Sequence, residues 1–390
     1  MTDALKRRVG ELEPAIVGWR RDLHRCPELG FEEHETGRYV ARCLRGFDLA
    51  VRTGVAKTGI VAVLKAKAPS ARPVLLRADM DALPIEETAG RPYGSSQPGK
   101  MHACGHDGHM AMLLGAAAVL AAERERLTRD VVFCFQPGEE GFGGAEAMIR
   151  EGILDEHGVA EAYGLHLWSQ FPVGTIQVRP GPTMAAQDEF EATLRGHGGH
   201  GALPHKAIDP IVAAASAILS LQTVVSRSVD PVQPAVVTVG ALHAGTAANV
   251  IPDTASMNGT LRSFESGVRE TLRRRVKEIL EGAARAGGCT LEYTLHEGYP
   301  AVVNDPAAVE RVRRHASAVV GHGKVIEPDP MAAAEDFAYF LERVPGAFTF
   351  IGAGNAEAGI TAPHHSPRFD IDEAALPIGT ELLARIALGE

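Results

Sequence analysis

The feature that most constrains the fold is a change of rhythm near residue 188. Ahead of it, short β-rich runs alternate with helical stretches: "GIVAVLKA" at 59–66, "PVLLRAD" at 73–79, the helix-like "HMAMLLGAAAVLAAERERL" at 109–127 and "DVVFCFQ" at 130–136. Such alternation predicts a largely parallel α/β sheet covered by helices on both faces. From 188 the order becomes strand (188–195), helix (209–227), strand (234–243), strand (254–263), helix (266–287) and strand (289–296), the β-α-β-β-α-β succession of a ferredoxin-like unit. The first of those helices has a good local start, with Asp209 as N-cap and Pro210 at the first helical position. After Tyr299 the α/β pattern resumes, with helix-like stretches at 305–320 and 372–388 and a strand at 347–351. A chain of 390 residues is long enough for more than one core. The expected architecture is a two-domain α/β protein: a discontinuous domain, 1–184 with 299–390, interrupted by an inserted domain at 185–298.

Composition narrows the function classes. The formal charge of −10 and the lack of a dense Lys/Arg tract argue against a nucleic-acid partner or an anionic membrane surface. Five scattered cysteines, Cys26, Cys43, Cys104, Cys134 and Cys289, do not form the even, dense framework of a disulfide-stapled domain, so reduced thiols are expected. The opening "MTDALKRRVGELEP" lacks the apolar stretch of a signal peptide, and no uninterrupted apolar run reaches the roughly 18 residues of a membrane span. The expectation is a cytoplasmic enzyme or binding protein with no membrane partner.

Metal-ligating side chains collect where strands give way to loops. They are Asp79 and Asp81 in "RADMDALP", Cys104 and His106 in "MHACGHDGHM", Glu139 and Glu140 in "FQPGEEG", His166 in "GLHLW", and His364 and His365 in "PHHSPRFD". Cysteine, histidine and carboxylate together suit zinc or another borderline divalent ion, and the carboxylates widen the choice toward manganese, with cobalt and nickel also admitted. No cysteine has the C-x-x-C partner of a structural zinc site. So many donors suggest two ions about 3.5–4 Å apart, sharing a bridging ligand and a bridging water. The adjacent Glu139-Glu140 pair divides the labour, because neighbouring side chains in extended backbone point to opposite sides: one ligates and the other handles protons. Each residue alone also has a structural reading, as a hydrogen-bonded histidine, a solvated acidic pair or a small buried thiol. His102, His109 and His364 keep that reading.

These blocks, together with "GHGGHGALPH", "NVIPD", "GTLRSF" and "AAAEDF", resemble the signatures of the aminoacylase-like metallopeptidases. The likeness is to the branch of hippurate hydrolase, N-acyl-amino-acid amidohydrolases and auxin-conjugate hydrolases, and it runs from about Arg77 to the C-terminus. It implies a zinc-exopeptidase-like α/β catalytic domain with an inserted ferredoxin-like dimerisation and lid domain, hence a homodimer. It implies Cys104 as bridging ligand of two divalent ions, with His106, Glu140, His166 and His365 completing the shells. Glu139 would be the general base toward a metal-bridging water, and Asp81 would orient a ligand from behind. His200 would reach across the dimer to the oxyanion, and Asn249 and Arg262 would hold the substrate carboxylate. Gly352 and Gly354 would offer backbone N–H groups to the same carboxylate. In the wider clan an aspartate stands at Cys104 and a histidine at Asp79, so the residues found here fit the narrower branch. The substrate implied is a small N-acyl amino acid, cleaved to a carboxylic acid and a free amino acid.

Three alternatives stand beside this reading: a dipeptidase or carboxypeptidase of the same superfamily, a cysteine amidase with Cys104 as nucleophile activated by His106, and a non-catalytic metal-binding protein. The acyl group, the amino acid and the native metal are not legible in the sequence.

Overall fold

A computed structural model describes residues 2–389. The chain divides into two compact units, Met1–Gly181 with Val303–Asp329 and Asp336–Glu390, and Pro182–Val302 with Pro330–Glu335. The short 330–335 stretch, which the sequence reading places with the α/β domain, groups with the inserted unit.

The first unit is built on an eight-stranded sheet. Its strands include β1 (Ala50–Val55), β2 (Gly59–Leu64), β3 (Val74–Asp79), β4 (Val131–Gln136) and β5 (Glu161–Pro172). The spatial order is β1, β2, β4, β3, β5, then Gly346–Gly354, Ile176–Gln177 and Val325–Ile326. The sequence predicts a largely parallel sheet; the middle, β4-β3-β5 and Gly346–Gly354, and the edge pair Ile176–Gln177 with Val325–Ile326 are parallel, whereas β1 with β2, β2 with β4, and Gly346–Gly354 with Ile176–Gln177 are antiparallel. The parallel strands carry near-continuous apolar runs because helices cover both of their faces: β3, β4 and Gly346–Gly354 are buried at every position.

Three helices of this unit matter for the site: α1 (Thr2–His24), α2 (His34–Gly46) and α3 (His106–Ala122). Helix α3 is apolar almost all round and nearly every residue is buried, as expected of a helix at the centre of a layer. It packs between α1, the Ala375–Leu388 helix and the sheet. Consequently its first residue, His106, is delivered to the carboxyl ends of β3 and β4, where chemistry collects in open α/β sheets. The glycines of Gly346–Gly354 are needed for close packing: a Cβ on Gly352 would stand 2.0 Å from the Pro172 carbonyl oxygen, and one on Gly354 2.1 Å from that of Ser169.

The inserted unit has the ferredoxin-like order. Its sheet runs Ala235–Ala244, Thr254–Ser263, Ala186–Arg195, Thr290–Glu297, all antiparallel. Along Ala186–Arg195, Ala186, Asp188, Phe190, Ala192 and Leu194 face inward in strict alternation. The core lies between that face and two helices, Pro210–Ser228 and Ser266–Ala286. The Pro210–Ser228 helix is long and apolar enough, by length and composition, to cross a membrane. Its buried positions, Ala213, Ala214, Ala217, Leu221 and Val224, are those of an amphipathic helix laid on a sheet.

Candidate metal centre

The first unit brings five sequence-predicted ligands to one place. Each histidine there shows which nitrogen is available. His106 Nδ1 lies 2.8 Å from the Asp81 carbonyl oxygen, and a carbonyl only accepts, so Nδ1 carries the proton and Nε2 faces the pocket. His166 Nδ1 likewise donates to the Leu167 carbonyl oxygen at 2.7 Å, leaving Nε2 3.6 Å from Cys104 Sγ. His365 Nε2 stands 3.4 Å from Glu140 Oε1. His365 holds a left-handed backbone, φ 62°, unusual outside glycine, and its N–H is tied to the Ala103 carbonyl oxygen at 2.9 Å.

Two donor triads consist of predicted ligands alone, Cys104/His106/His166 and Cys104/Glu140/His365, each with its donor atoms within 4.8 Å of one another and both containing the Cys104 sulfur; His106 also groups with Glu139 and Glu140, and with Asp79 and His109. His106 Nε2 and Glu140 Oε1 are buried without a hydrogen-bond partner. Buried polar atoms are normally satisfied, so two orphans aimed into one pocket fit a missing cation.

The electrostatics show an excess of negative charge that a cation would offset, displacing the His106 proton as it binds. Burial alone would lower the pKa of His106, but the carboxylates of Asp79, Asp81 and Glu140 outweigh it and push it up to about 10. Burial, then Glu140, Glu139 and Asp79, hold the Cys104 thiol well above its ordinary value. A nucleophilic thiolate needs electropositive surroundings, and these are the reverse. Burial, with His109 and His364 adding to it, holds His166 well below its ordinary value, so its imidazole is neutral and able to ligate.

Of the histidines outside the ligand set, His109 has both ring nitrogens bonded and His364 one, whereas His364 Nδ1 and both nitrogens of buried His102 have no hydrogen-bond partner. His109 accepts from the Leu167 N–H at Nε2 (2.9 Å) and donates from Nδ1 to Asp79 Oδ1 (2.6 Å). His364 Nε2 donates to the Leu167 carbonyl oxygen at 2.9 Å. Asp79 is also held by Arg77 Nη1 at 2.8 Å. Asp81 accepts the Glu139 N–H at Oδ1 and the Glu140 N–H at Oδ2, each at 3.0 Å, so it fixes the loop that bears both glutamates. His166 is not at a strand end, as the sequence reading has it. It lies inside β5, level with the end of β3, because Arg77 pairs with Gly164 two residues earlier.

His200, Asn249 and Arg262 lie in the inserted unit. The two-residue strand Gly199–His200 pairs with Val250–Ile251, and the Gly201 N–H donates to the Asn249 carbonyl oxygen at 2.8 Å, so His200 and Asn249 are neighbours. The Ala202 N–H donates to His200 Nδ1 at 3.1 Å, which leaves an Nε2–H on an exposed imidazole. Arg262, half-buried, donates to the Leu261 carbonyl oxygen at 3.0 Å and to Thr260 Oγ1. Among the described residues no carboxylate forms an ion pair with it, so a cross-strand salt bridge does not account for it.

Residues 75–389 match peptidase family M20/M25/M40. Thermostable carboxypeptidase 2 of Saccharolobus solfataricus is 38% identical, over 100% of this chain and 98% of the relative. N-acetyl-L-cysteine deacetylase of Bacillus subtilis is 42% identical over 94% of this chain and 85% of the relative. The Bacillus subtilis YXEP protein, described as a dinuclear metal binding peptidase from the M20 family, superposes with a TM-score of 0.84 at 35% identity, covering 97% of this chain and 98% of that one. The chain belongs to peptidase family M20/M25/M40. It is a hydrolase of amide bonds.

Some buried partners of this M20 site have no role in the sequence reading, although Arg77 and Asp336 fall inside the quoted "RADMDALP" and "AAAEDF" blocks. Arg77, fully buried, donates to Gln136 Oε1 (2.8 Å) and Asp336 Oδ1 (2.9 Å) as well as to Asp79, and Asp336 also accepts the Ala145 N–H at 2.9 Å. The signal was present as a charge inside the otherwise apolar "VLLRAD". Asp107, next to His106, is gripped from α1 by Arg20 Nε and His24 Nδ1, each at 2.8 Å. Those two residues precede the family match and belong to none of the quoted motifs.

Proposed function

We propose that this M20 member is a homodimeric two-metal amidohydrolase that releases an amino acid from a small N-acyl amino acid. The observation that carries the reading is the pair of donor triads sharing Cys104, with His106 Nε2 and Glu140 Oε1 left unsatisfied between them. Cys104, His106 and His166 would hold one ion, and Cys104, Glu140 and His365 the other. The sulfur and imidazole donors favour zinc, the carboxylate also admits manganese, and cobalt or nickel fit the same donors less selectively. Such ions supply Lewis acidity and make water a competent nucleophile near neutral pH.

The side chains do the rest. Glu139, on the same loop as the ligand Glu140 and buried, takes the proton of the attacking water and passes it to the departing amine nitrogen. Asp81 keeps the loop and His106 in register. His200 of the partner subunit presents Nε2–H to the carbonyl oxygen as negative charge develops there. Asn249 and Arg262 hold the α-carboxylate of the amino-acid half, the planar guanidinium being suited to a bidentate grip. Gly354 would offer its backbone N–H to the same carboxylate, and packing against the Ser169 carbonyl separately requires a glycine there. A deacetylase of N-acetyl-L-cysteine and a carboxypeptidase both cleave an amide whose nitrogen belongs to an amino acid, which is the common denominator of this proposal. Dipeptides remain the second substrate class.

The homodimer is supported by the inserted unit. Ala235–Ala244 is an edge strand with exposed Val236 and Leu242, and the adjoining Pro210–Ser228 helix exposes Val212 and Leu219.

The test is to strip the enzyme with a chelator and reconstitute it ion by ion. Turnover is then followed on hippurate, N-acetyl and N-succinyl amino acids, and dipeptides. Hydrolysis is expected to vanish and return with metal. Activity that survives metal removal and dies on thiol alkylation would instead establish Cys104 as a nucleophile.

A further inference from the structure

The loop carrying Glu139 and Glu140 closes on itself through two backbone bonds, Gly141 N–H to the Glu139 carbonyl oxygen at 2.7 Å and Gly144 N–H to that of Gly138 at 3.1 Å. It contains Gly138, Gly141 and Gly143, all with left-handed φ, at 60°, 90° and 69°, so the backbone is held by its partners rather than by residue preference. Its first three amides are matched one by one to carboxylate oxygens. The Gly138 N–H donates to Glu33 Oε1 at 2.9 Å, the Glu139 N–H to Asp81 Oδ1 and the Glu140 N–H to Asp81 Oδ2, each at 3.0 Å. Asp81 arrives with the end of β3. Glu33 comes from the turn before α2, 105 residues away in sequence from Gly138, and is fully buried. Its second oxygen accepts from Thr58 Oγ1, in the turn between β1 and β2. A carboxylate is therefore buried with one bond to a scaffold hydroxyl and one to the hinge of the loop.

We propose that Glu33 is a positioning residue for amide hydrolysis: by fixing the Gly138 N–H it sets where the Glu139 carboxylate stands, and it acts on turnover through Glu139. The inference rests on the assignment of Glu139 as proton carrier. Removing the anchor releases the Gly138 N–H and leaves the start of the loop held by the Gly144 N–H, whereas Asp81 still holds the two glutamate amides. The loop stays on the metal centre but loses its angle. Misplacement by about 1 Å costs on the order of 10²-fold in rate.

The experiment is a double-mutant cycle on the metal-loaded enzyme, with metal content and thermal unfolding recorded for each variant. Glu33→Ala is expected to lower kcat roughly 10- to 100-fold while KM moves less than about threefold and metal content holds. Glu33→Gln should restore most of kcat, because its amide oxygen accepts from Gly138 and its amide group donates to Thr58 Oγ1. In a Glu139→Ala background, Glu33→Ala should cost nothing further, since a residue acting through another has no effect once that other is gone. An equal loss with and without Glu139, an unchanged kcat in Glu33→Ala, or no rescue by glutamine would each overturn the proposal. Should Glu33→Ala not fold, Glu33→Asp takes its place, keeping the charge but too short to reach both partners. Failure of the underlying assignment looks different: Glu139→Ala alone would then keep its turnover.

Discussion

The two units each bury a carboxylate among charged groups, and they do so to opposite effect. In the inserted unit, Asp188 is almost fully buried and accepts five hydrogen bonds: two from Arg269 (2.9 and 2.7 Å), two from Arg273 (both 2.8 Å) and one from the Gly298 N–H (3.1 Å). In the first unit, Glu140 Oε1 and His106 Nε2 are equally hidden and make no hydrogen bond, Glu140 Oε1 meeting only the His365 ring at 3.4 Å. A cluster built to hold a fold saturates its acceptors, whereas one built to hold a ligand keeps lone pairs aimed at a common point. The lesson is that burial and charge do not mark a site; unsatisfied donor atoms that converge do.

The sharpest way to break that contrast is Glu139→Ala. Proton transfer by a positioned carboxylate contributes roughly 10²- to 10⁴-fold, so kcat should fall by that much with two metal ions per subunit retained and the melting temperature nearly unchanged. Loss of the ions together with activity would show that Glu139 is a ligand and that the division between it and Glu140 is wrong.

Asp188→Asn is the converse experiment, expected to damage stability and leave the metal centre loaded. Breaking a buried ion pair costs roughly 3–5 kcal/mol, and the low end applies because Arg269 and Arg273 reach partly into solvent. Burial alone would raise the Asp188 carboxyl; the two guanidiniums outweigh it and hold it below the usual carboxylate range. A depressed folded value contributes stability that is complete above the unfolded pKa of about 3.9 and is lost as pH falls through the folded value. Urea melts of wild type and variant should therefore differ fully at neutral pH and converge in acid. A gap that persisted in strong acid would mean that the clamp stabilises by packing and not by charge.

Arg262 lies between the two extremes, half-buried and bonded only to Thr260 and Leu261 among the described residues. If its guanidinium is kept for a ligand, Arg262→Ala should reduce kcat/KM for substrates with a free α-carboxylate by roughly 10- to 100-fold, the weight of a hydrogen bond to a charged group. Substrates with that carboxylate amidated should be unaffected. Equal loss on both would assign Arg262 to the fold.

Sequence alone reached the five side chains proposed as ligands, which the fold brings together, because each sits in a short contiguous block, and it reached the ferredoxin-like order because a period of two and a period near four are distinct signals. The strand at 254–263 and the helix starts near 209 and 266 are where periodicity put them. What it missed depends on tertiary placement. Glu33 lies in "PELGFEEHE" among three other glutamates, and nothing local separates the one buried under Gly138 from exposed Glu32 and Glu35 or from Glu28, which accepts the Glu35 and Thr36 N–H groups. Arg20 and His24 fall on one stretch of α1, but only the packing of α1 against α3 makes them partners of Asp107. The antiparallel edges of the sheet were invisible for the same reason, since apolar runs report burial and not direction.

The smallest effect tests the local end of the comparison. Asp209 Oδ1 accepts the Ile211 N–H at 2.9 Å, with Pro210 at the first helical position. This is a saturated contact, but an exposed one at a helix start, and water can replace it. Asp209→Ala should cost about 1 kcal/mol, the usual worth of such a cap, and Asp209→Asn, which keeps an acceptor oxygen, much less. Both should leave metal content and kcat untouched, because neither the cap nor the helix it starts supplies a donor to the centre. A loss near that of Asp188→Asn would show that the cap anchors more than its own first turn. The line between saturated contacts that hold the fold and local ones that merely finish a helix would then have to be redrawn.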